Sequence, residues 1–250
     1  MFTLPVHKIT RILIGTALVL VAVSAIAVYA RDELGITRVA GVAYPQILRI
    51  DRELNNLPTW YSASLLLVCA LSIAAVGARV SPRATRIRWW ALASLVLLMS
   101  IDESVRIHER LGAFVRNLTG VWVPWVVPAG LAVVVVLVLT RGVWRTVTRD
   151  DGIRFAQGAV VFVTGAVGLE VVHKLLAPAA GGLVHYGLVH AEEGLEMLGV
   201  TLLLRAAWLV MAPDGRLVVT LGPDGSGAPT PLAGSDQPDA RTYELGHTGS

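Results

Sequence analysis

The chain has 250 residues, of which 54% are hydrophobic and 16% are charged, and its formal net charge is +3 at pH 7. Soluble domains have about a quarter of their residues charged, so this composition excludes an ordinary soluble domain and indicates a membrane protein. The basic residues lie in short segments between apolar stretches and form no single patch, so we expect no nucleic-acid partner. The single cysteine, Cys69, excludes an internal disulfide and any Cys-x-x-Cys motif.

Six apolar stretches are long enough to cross a hydrocarbon core of about 30 Å, which takes about 20 helical residues. They are residues 12–30, 60–78, 89–108, 121–140, 155–177 and 188–211. We therefore predict an all-α fold, in which residues 1–211 form a polytopic membrane helical bundle with about six transmembrane helices. Residues 44–57 alternate between apolar and charged side chains, and both a helix in the membrane interface and a solvated connector fit this pattern.

The remaining residues, 212–250, are rich in Gly, Pro, Ser and Asp, which predicts a largely disordered tail with at most one small hairpin at 212–225. The basic residues of the loops predict the orientation of the bundle. The loops at 79–88 and 141–154 each contain four arginines, whereas the loop at 178–187 contains none. The positive-inside rule then places both termini in the cytoplasm.

Three of the apolar stretches contain acidic and histidine residues, at 101–109, 169–174 and 190–196. An ionised side chain at the centre of a membrane helix costs about 2.5–3.5 kcal/mol on the translocon scale. Such residues therefore persist mainly where they pair, bind an ion or face water. On the predicted topology all three clusters lie in the outer half of the bundle, which indicates one shared site.

Two pairs have the same spacing on helices that run in opposite directions. Glu170 and His173 are three residues apart, and so are His190 and Glu193, so each carboxylate lies about 4.5 Å deeper than its imidazole. The Glu170-Val-Val-His173 spacing is similar to the Glu-x-x-His element of ferritin-like di-metal carboxylate proteins. The resemblance covers four residues, and the second pair has the reverse order.

The clusters contain more negative than positive charge. Seven carboxylates face three cations, an excess of four negative charges; the carboxylates are Asp102, Glu103, Glu109, Glu170, Glu192, Glu193 and Glu196, and the cations are Arg106, Arg110 and Lys174. Protons, charged histidines or bound metal ions must compensate such buried charge. Carboxylate and imidazole donors favour a divalent metal such as Fe, Mn or Zn.

We therefore predict a metal site, in which Glu193 is the most central of the residues from the sixth span. The predicted ligands are Asp102, Glu109, Glu170, His173, His190, Glu193 and Glu196. Asp102, Glu170 and Glu193 are the predicted catalytic residues. A metal-dependent hydrolase or oxidoreductase that acts on a lipid or other hydrophobic substrate is the first interpretation of such a site.

Two alternatives remain open. The first is a proton- or cation-coupled transporter or channel, in which Asp102, Glu170 and Glu196 relay charge. The inner halves of the same helices offer no matching acids, which disfavours a path across the membrane. The second is a structural network, in which the polar side chains hydrogen-bond between helices.

Overall fold

The computed structural model describes residues 2–36, 38–39, 42–43, 48–50, 56–107, 110, 114, 117–118, 126–176 and 182–219. Helices dominate these residues, and five helices are long and apolar enough to cross a membrane. The predicted all-α membrane bundle is therefore confirmed, and the chain is an integral membrane protein in contact with the bilayer. The cytoplasmic position of the termini stays a prediction.

The first three helices are α1 at Val6–Asp32, α2 at Leu57–Ala78 and α3 at Arg83–Val105. The start of α2 is defined by Asn56, whose side-chain oxygen accepts a hydrogen bond from the Thr59 N–H at 2.7 Å. A short turn joins α2 to α3, and these two helices pack against each other along their length.

The next three helices are α4, α5 and α6. Helix α4 is Val126–Thr140, and α6 is Gly182–Met211. Helix α5 consists of three consecutive segments, which are the α-helix Arg149–Val163, the π-helix Thr164–Leu169 and the α-helix Glu170–Leu176. Its start is capped by Thr148, whose hydroxyl accepts a hydrogen bond from the Asp151 N–H at 3.2 Å.

The observed helices differ from the predicted spans at several ends. Helix α4 has 15 residues and falls below the length of a full span, while residues 121–125 of the predicted fourth span lie outside the described residues. Helix α3 ends at Val105, three residues before the predicted end. Helix α6 begins at Gly182, six residues before the predicted start. Glu193 therefore lies about 16 Å along α6 and not in its first turns.

Short strands bring the two ends of the bundle domain together. Strand β1 at Phe2–Pro5 pairs antiparallel with β4 at Arg216–Val219, whereas β2 at Arg38–Val39 pairs with β3 at Val42–Ala43. The segment after Met211 thus pairs with the N-terminus through Arg216–Val219, while residues 220–225 of the predicted hairpin lie outside the described residues. The predicted disorder of the tail concerns residues 220–250, which lie outside the described residues.

Helix α6 lies at the centre of the bundle, where it packs against α1, α2 and α5. Its side chains Met197, Val200 and Leu204 are fully buried. The contact with α5 is a close contact between backbones, since a Cβ atom placed on Gly199 would lie 2.5 Å from the backbone nitrogen of Phe162. Small residues commonly allow such close approach between membrane helices.

Residues 48–50 return into the bundle from the segment between α1 and α2. The Ile50 N–H donates to Ser24 Oγ at 2.8 Å, and Arg49 Nη2 donates to Asp32 Oδ2 at 3.4 Å. Both Arg49 and Ile50 are buried. Residues 44–47 and 51–55 lie outside the described residues, so the choice between an interfacial helix and a connector stays a prediction.

Candidate metal centre

Three side chains with metal-binding atoms converge where the end of α5 meets α6. One ligand atom each from Glu170, His173 and Glu192 lie within 4.8 Å of one another, and all three residues are half-buried. Ligand atoms that share one ion stand about 3–4 Å apart, because each lies about 2.1 Å from the metal. Small side-chain adjustments therefore bring all three atoms to coordination distance.

The position of Glu170 and His173 depends on the π segment that precedes them. Residues three apart in a helix share one face, so Glu170 and His173 both point toward α6. The π segment ends at Leu169, immediately before Glu170. A π turn contains more residues than an α turn, so the π segment rotates both side chains relative to a continuous α-helix. Such segments are frequent at functional sites.

The position of Glu192 depends on Gly165 of the π segment. A Cβ atom at residue 165 would lie 2.9 Å from the Glu192 carbonyl oxygen and 3.0 Å from the Glu196 backbone nitrogen. The backbones of α5 and α6 therefore touch at the level of these two glutamates. This contact holds Glu192 opposite Glu170.

A second histidine contacts the group from the start of α6. His173 Nε2 lies 2.7 Å from His185 Nδ1, and the two ring centroids are 4.6 Å apart. The edge of His185 in turn contacts the Tyr186 ring, at a centroid distance of 5.3 Å. Metal-binding histidines commonly use the second ring nitrogen for a hydrogen bond that fixes the ring orientation. The contact with His185 fixes the orientation of the His173 ring.

More carboxylates lie next to the group, on the same stretch of α6 and on α3. Glu193 interacts electrostatically with Glu103, Glu192 and Arg106. Glu196 interacts with the acidic residues Glu103, Glu170, Glu192 and Glu193. In the described part of the chain, the buried Oε2 atom of Glu193 has no hydrogen-bond partner. Among the residues that the structure describes, five glutamates thus lie close together, and Arg106 is the cation that interacts with Glu193.

Arg106 reaches this cluster because α3 ends just before it. Its backbone has φ 52° and ψ 52°, the left-handed conformation that often terminates helices, and its N–H donates to the Asp102 carbonyl oxygen at 2.6 Å. Few residues other than glycine adopt this conformation. The end of α3 thus places one positive charge beside Glu193.

His190 faces away from the group, toward α1. Its Nδ1 lies 2.7 Å from the Tyr186 carbonyl oxygen, and its Nε2 lies 2.9 Å from Ser24 Oγ. Because a carbonyl can only accept, Nδ1 carries a proton, and in the neutral ring Nε2 accepts from the Ser24 hydroxyl. The same hydroxyl oxygen accepts from Ile50 N–H. Both nitrogens of this buried histidine are therefore engaged in a structural network.

The structure brings together some of the sequence-predicted residues. Glu170 and His173 lie in the three-residue group, and Glu193 and Glu196 lie beside it. Asp102 is half-buried on α3 and is not a member of the group within the described residues. Glu109 lies outside the described residues, as does the side chain of Lys174, and Arg110 is exposed.

The predicted ligands did not include Glu192, and His185 was not singled out from the sequence; the structure places both at the group. Glu193 was predicted as the central residue of the sixth span, and Glu192 was counted among the acidic residues but not among the ligands. Glu192 is four residues before Glu196 and seven before Gly199, so these three residues share one helix face. Gly199 lies on the face of α6 that contacts α5, so a choice of the acidic residues on that face would have included Glu192. Nothing comparable in the sequence marks His185.

The chain was compared with protein families, curated proteins and solved structures. The model of one family, described as "Domain of unknown function (DUF8692)", matches residues 11–212. No curated protein and no solved structure matched. The matched region includes five of the six described helices in full, most of α1, and every candidate ligand. The chain therefore belongs to the family of the domain of unknown function DUF8692.

Proposed function

We propose that this protein binds a divalent metal ion through Glu170, His173 and Glu192 and uses it for chemistry on a lipid or other hydrophobic substrate. The observation that carries the proposal is the convergence of the three ligand atoms within 4.8 Å of one another. Two helices contribute these atoms, so the site depends on the tertiary fold and not only on local spacing.

The donor set defines the class of metal. Two carboxylates and one imidazole suit Zn, Mn or Fe, whereas softer metals prefer thiolates. The sole thiol of the chain, Cys69, is buried in α2. Three protein ligands leave coordination positions open for water or substrate, which is the arrangement of catalytic metal sites. A metal there would activate water or oxygen, which fits a hydrolase or an oxidoreductase.

The charge around the site supports a cation. Glu103, Glu193 and Glu196 lie beside the three ligands, and Arg106 is the positive side chain among their electrostatic neighbours. Uncompensated carboxylates in a membrane interior are costly. A divalent ion would neutralise two of these negative charges, and protons on the deeper glutamates would compensate for the others.

The surroundings of the site favour a hydrophobic substrate. Exposed apolar side chains flank the ligands on both helices; they are Val172, Leu175, Leu183 and Val184. Val172, Leu183 and Val184 belong to helices that are long and apolar enough to span a membrane, where their exposed side chains would face lipid. A substrate that arrives through the bilayer would therefore reach half-buried ligands directly.

Metal content of the purified protein tests the binding site. Wild-type protein, stripped with a chelator and reloaded with Zn²⁺, Mn²⁺ or Fe²⁺, should retain about one ion per chain. The Glu170→Gln/Glu192→Gln variant keeps the side-chain volumes and should lose this ion. The matched control is Glu33→Gln/Asp150→Asn, which removes two exposed acids and should bind like wild type. Retention by the first variant, or equal loss in the control, would contradict the site.

Lipid analysis tests the reaction. Membranes that contain the wild type or the Glu170→Gln/Glu192→Gln variant should differ in at least one lipid or lipid-derived species. If the two membranes have identical lipid profiles although the wild-type protein contains one metal ion per chain, an enzyme that acts on lipid is contradicted.

A proton- or cation-coupled carrier is the second candidate, and Glu193 favours it. Its Oε2 atom is buried and lacks a hydrogen-bond partner among the described residues, as expected of a group that binds and releases a cation. Reconstituted vesicles test this candidate: ion or proton flux that Glu193→Gln abolishes would support it, and equal flux in both proteins would contradict it.

A further inference from the structure

A polar cavity lies at the end of the bundle where α1 begins and α6 ends. It has a volume of about 530 Å³ and is separate from the metal centre. Its lining includes Thr3, His7, Lys8, Arg205, Asp214 and Arg216. The cavity therefore combines residues from both ends of the described chain.

The pairing of β1 with β4 forms this cavity. Pro5 lies opposite Arg216 in the register of the two strands, and the Val6 N–H donates to the Gly215 carbonyl oxygen at 2.9 Å. These contacts hold the first turn of α1 beside the last turns of α6. Lys8 and Arg205, which are far apart in the sequence, thereby face one space.

The cavity carries a net positive charge. Three cations, Lys8, Arg205 and Arg216, face one carboxylate, Asp214, whose Oδ1 accepts from the Arg216 backbone N–H at 3.2 Å. Within the part of the chain that the structure describes, the side chains of Lys8 and Arg205 have no hydrogen-bond or ion-pair partner. With His7 neutral, the balance is +2, from three positive charges and one negative charge.

Arg205 has an unusual position for an unpaired cation. It is half-buried on α6, six residues and about 9 Å before the end of this membrane-spanning helix. An arginine at this depth extends its head group toward the membrane boundary, where an anionic group can pair with it. The first turn of α1 adds to the positive potential, because it contains no acidic residue and no side-chain cap.

We propose that this cavity binds a phosphate group, and that the group belongs to an anionic phospholipid. Its position at the boundary of membrane-spanning helices makes lipid the nearest source of phosphate. Apolar surface for the acyl chains lies next to it, since Leu4 and Ile12 are 43% and 67% exposed. Basic pockets between membrane helices are known to hold anionic lipid head groups.

Lipid binding to the purified full chain tests the proposal. Phosphatidylglycerol and phosphatidylcholine are titrated separately into the protein in mixed detergent micelles, and one-to-one adducts are counted by native mass spectrometry. Wild type should bind phosphatidylglycerol at least about tenfold more tightly than phosphatidylcholine. The Lys8→Gln/Arg216→Gln variant, in which both altered side chains are exposed, should lose most of this preference, and so should Arg205→Gln.

The control is Arg83→Gln/Arg141→Gln. Both arginines are exposed and lie near the same end of the bundle, where Arg79 donates to the Met211 carbonyl oxygen. The control therefore loses as much general attraction to anionic lipid as the Lys8→Gln/Arg216→Gln variant does. This control should keep the wild-type preference. Equal loss in the control, or no preference in wild type, would overturn the site. If millimolar inorganic phosphate displaces phosphatidylglycerol completely, the assignment to lipid is overturned.

Discussion

At the scale of single residues, two histidines that were predicted as ligands of the same metal site have different surroundings. His173 lies with two glutamates and contacts a second histidine, whereas His190 is held by a carbonyl oxygen and the Ser24 hydroxyl. Sequence spacing treated both as ligands because each is three residues from a glutamate. The difference arises from which helix each ring faces, and spacing on one helix does not report that.

The Ser24 network should contribute to stability and not to metal binding. Ser24→Ala leaves the Ile50 N–H and His190 Nε2 without their shared partner, and should lower the free energy of unfolding by about 1–3 kcal/mol. Denaturation in detergent measures this change, and metal content should stay at the wild-type level. Unchanged stability together with a lost metal ion would contradict this assignment.

His185 should act on the metal through His173. In His185→Ala the His173 ring loses the contact at 2.7 Å, and metal affinity should fall by about 10–100-fold, as for other partners of metal ligands. Titration with a competing chelator measures the affinity. His7→Ala, which alters an exposed histidine near the N-terminus, is the control and should leave the affinity unchanged. Equal affinity in His185→Ala and wild type would show that the ring contact has no positioning role.

At the scale of elements, the contact between α5 and α6 sets the geometry of the centre. Gly165 and Gly199 both stand where a Cβ atom would meet backbone of the facing helix, and the π segment supplies the rotation before Glu170. Ligand geometry and helix packing are therefore coupled. A change that separates the two helices should weaken both stability and metal binding.

Gly165 and Gly168 provide a matched test of this coupling. Gly165→Ala forces a Cβ against the Glu192 carbonyl oxygen and should cost about 1–3 kcal/mol in the free energy of unfolding, with weaker metal binding. Gly168→Ala has its nearest neighbour at 3.8 Å, so it should be neutral or slightly stabilising. Thermal unfolding and metal titration of both variants measure the effects. Equal behaviour of the two variants would contradict the coupling.

Sequence patterns predicted the helices more completely than the site. Long apolar stretches identify membrane helices because the bilayer demands them, so α1, α2, α3, α5 and α6 were all expected. The π segment was not expected, since Thr164–Leu169 contains no residue type that excludes an ordinary α-helix. Spacing along α6 alone does not show which of its faces meets α5, so Glu193 and not Glu192 was predicted as the central residue of this helix.

At the scale of the whole molecule, the protein is a membrane bundle in which the first and last described segments of the chain lie at the same end of the bundle. The pairing of β1 with β4 places them together. Arginines of the loops before α3 and after α4 lie near this same end, where Trp89 Nε1 donates to Thr146 Oγ1 at 3.3 Å. The positive-inside rule predicts that this end is cytoplasmic and that the metal centre lies in the outer half.

Cysteine labelling tests this orientation. Single cysteines are introduced into a Cys69→Ala background at Arg83, Arg141 and Leu183, all of which are exposed. In sealed right-side-out vesicles, an impermeant maleimide should label Leu183→Cys alone, and the other two should react only after detergent is added. Labelling in the reverse order would invert the predicted topology.

X-ray absorption at the metal edge tests the central claim most directly, because it reports the atoms bound to the ion. In the wild type, the spectrum should show oxygen and nitrogen ligands at about 2.0–2.2 Å, with the multiple scattering of one imidazole. His173→Ala should remove the imidazole signal, while His190→Ala should retain it. An imidazole signal that persists in His173→Ala and disappears in His190→Ala would contradict the metal centre at Glu170, His173 and Glu192.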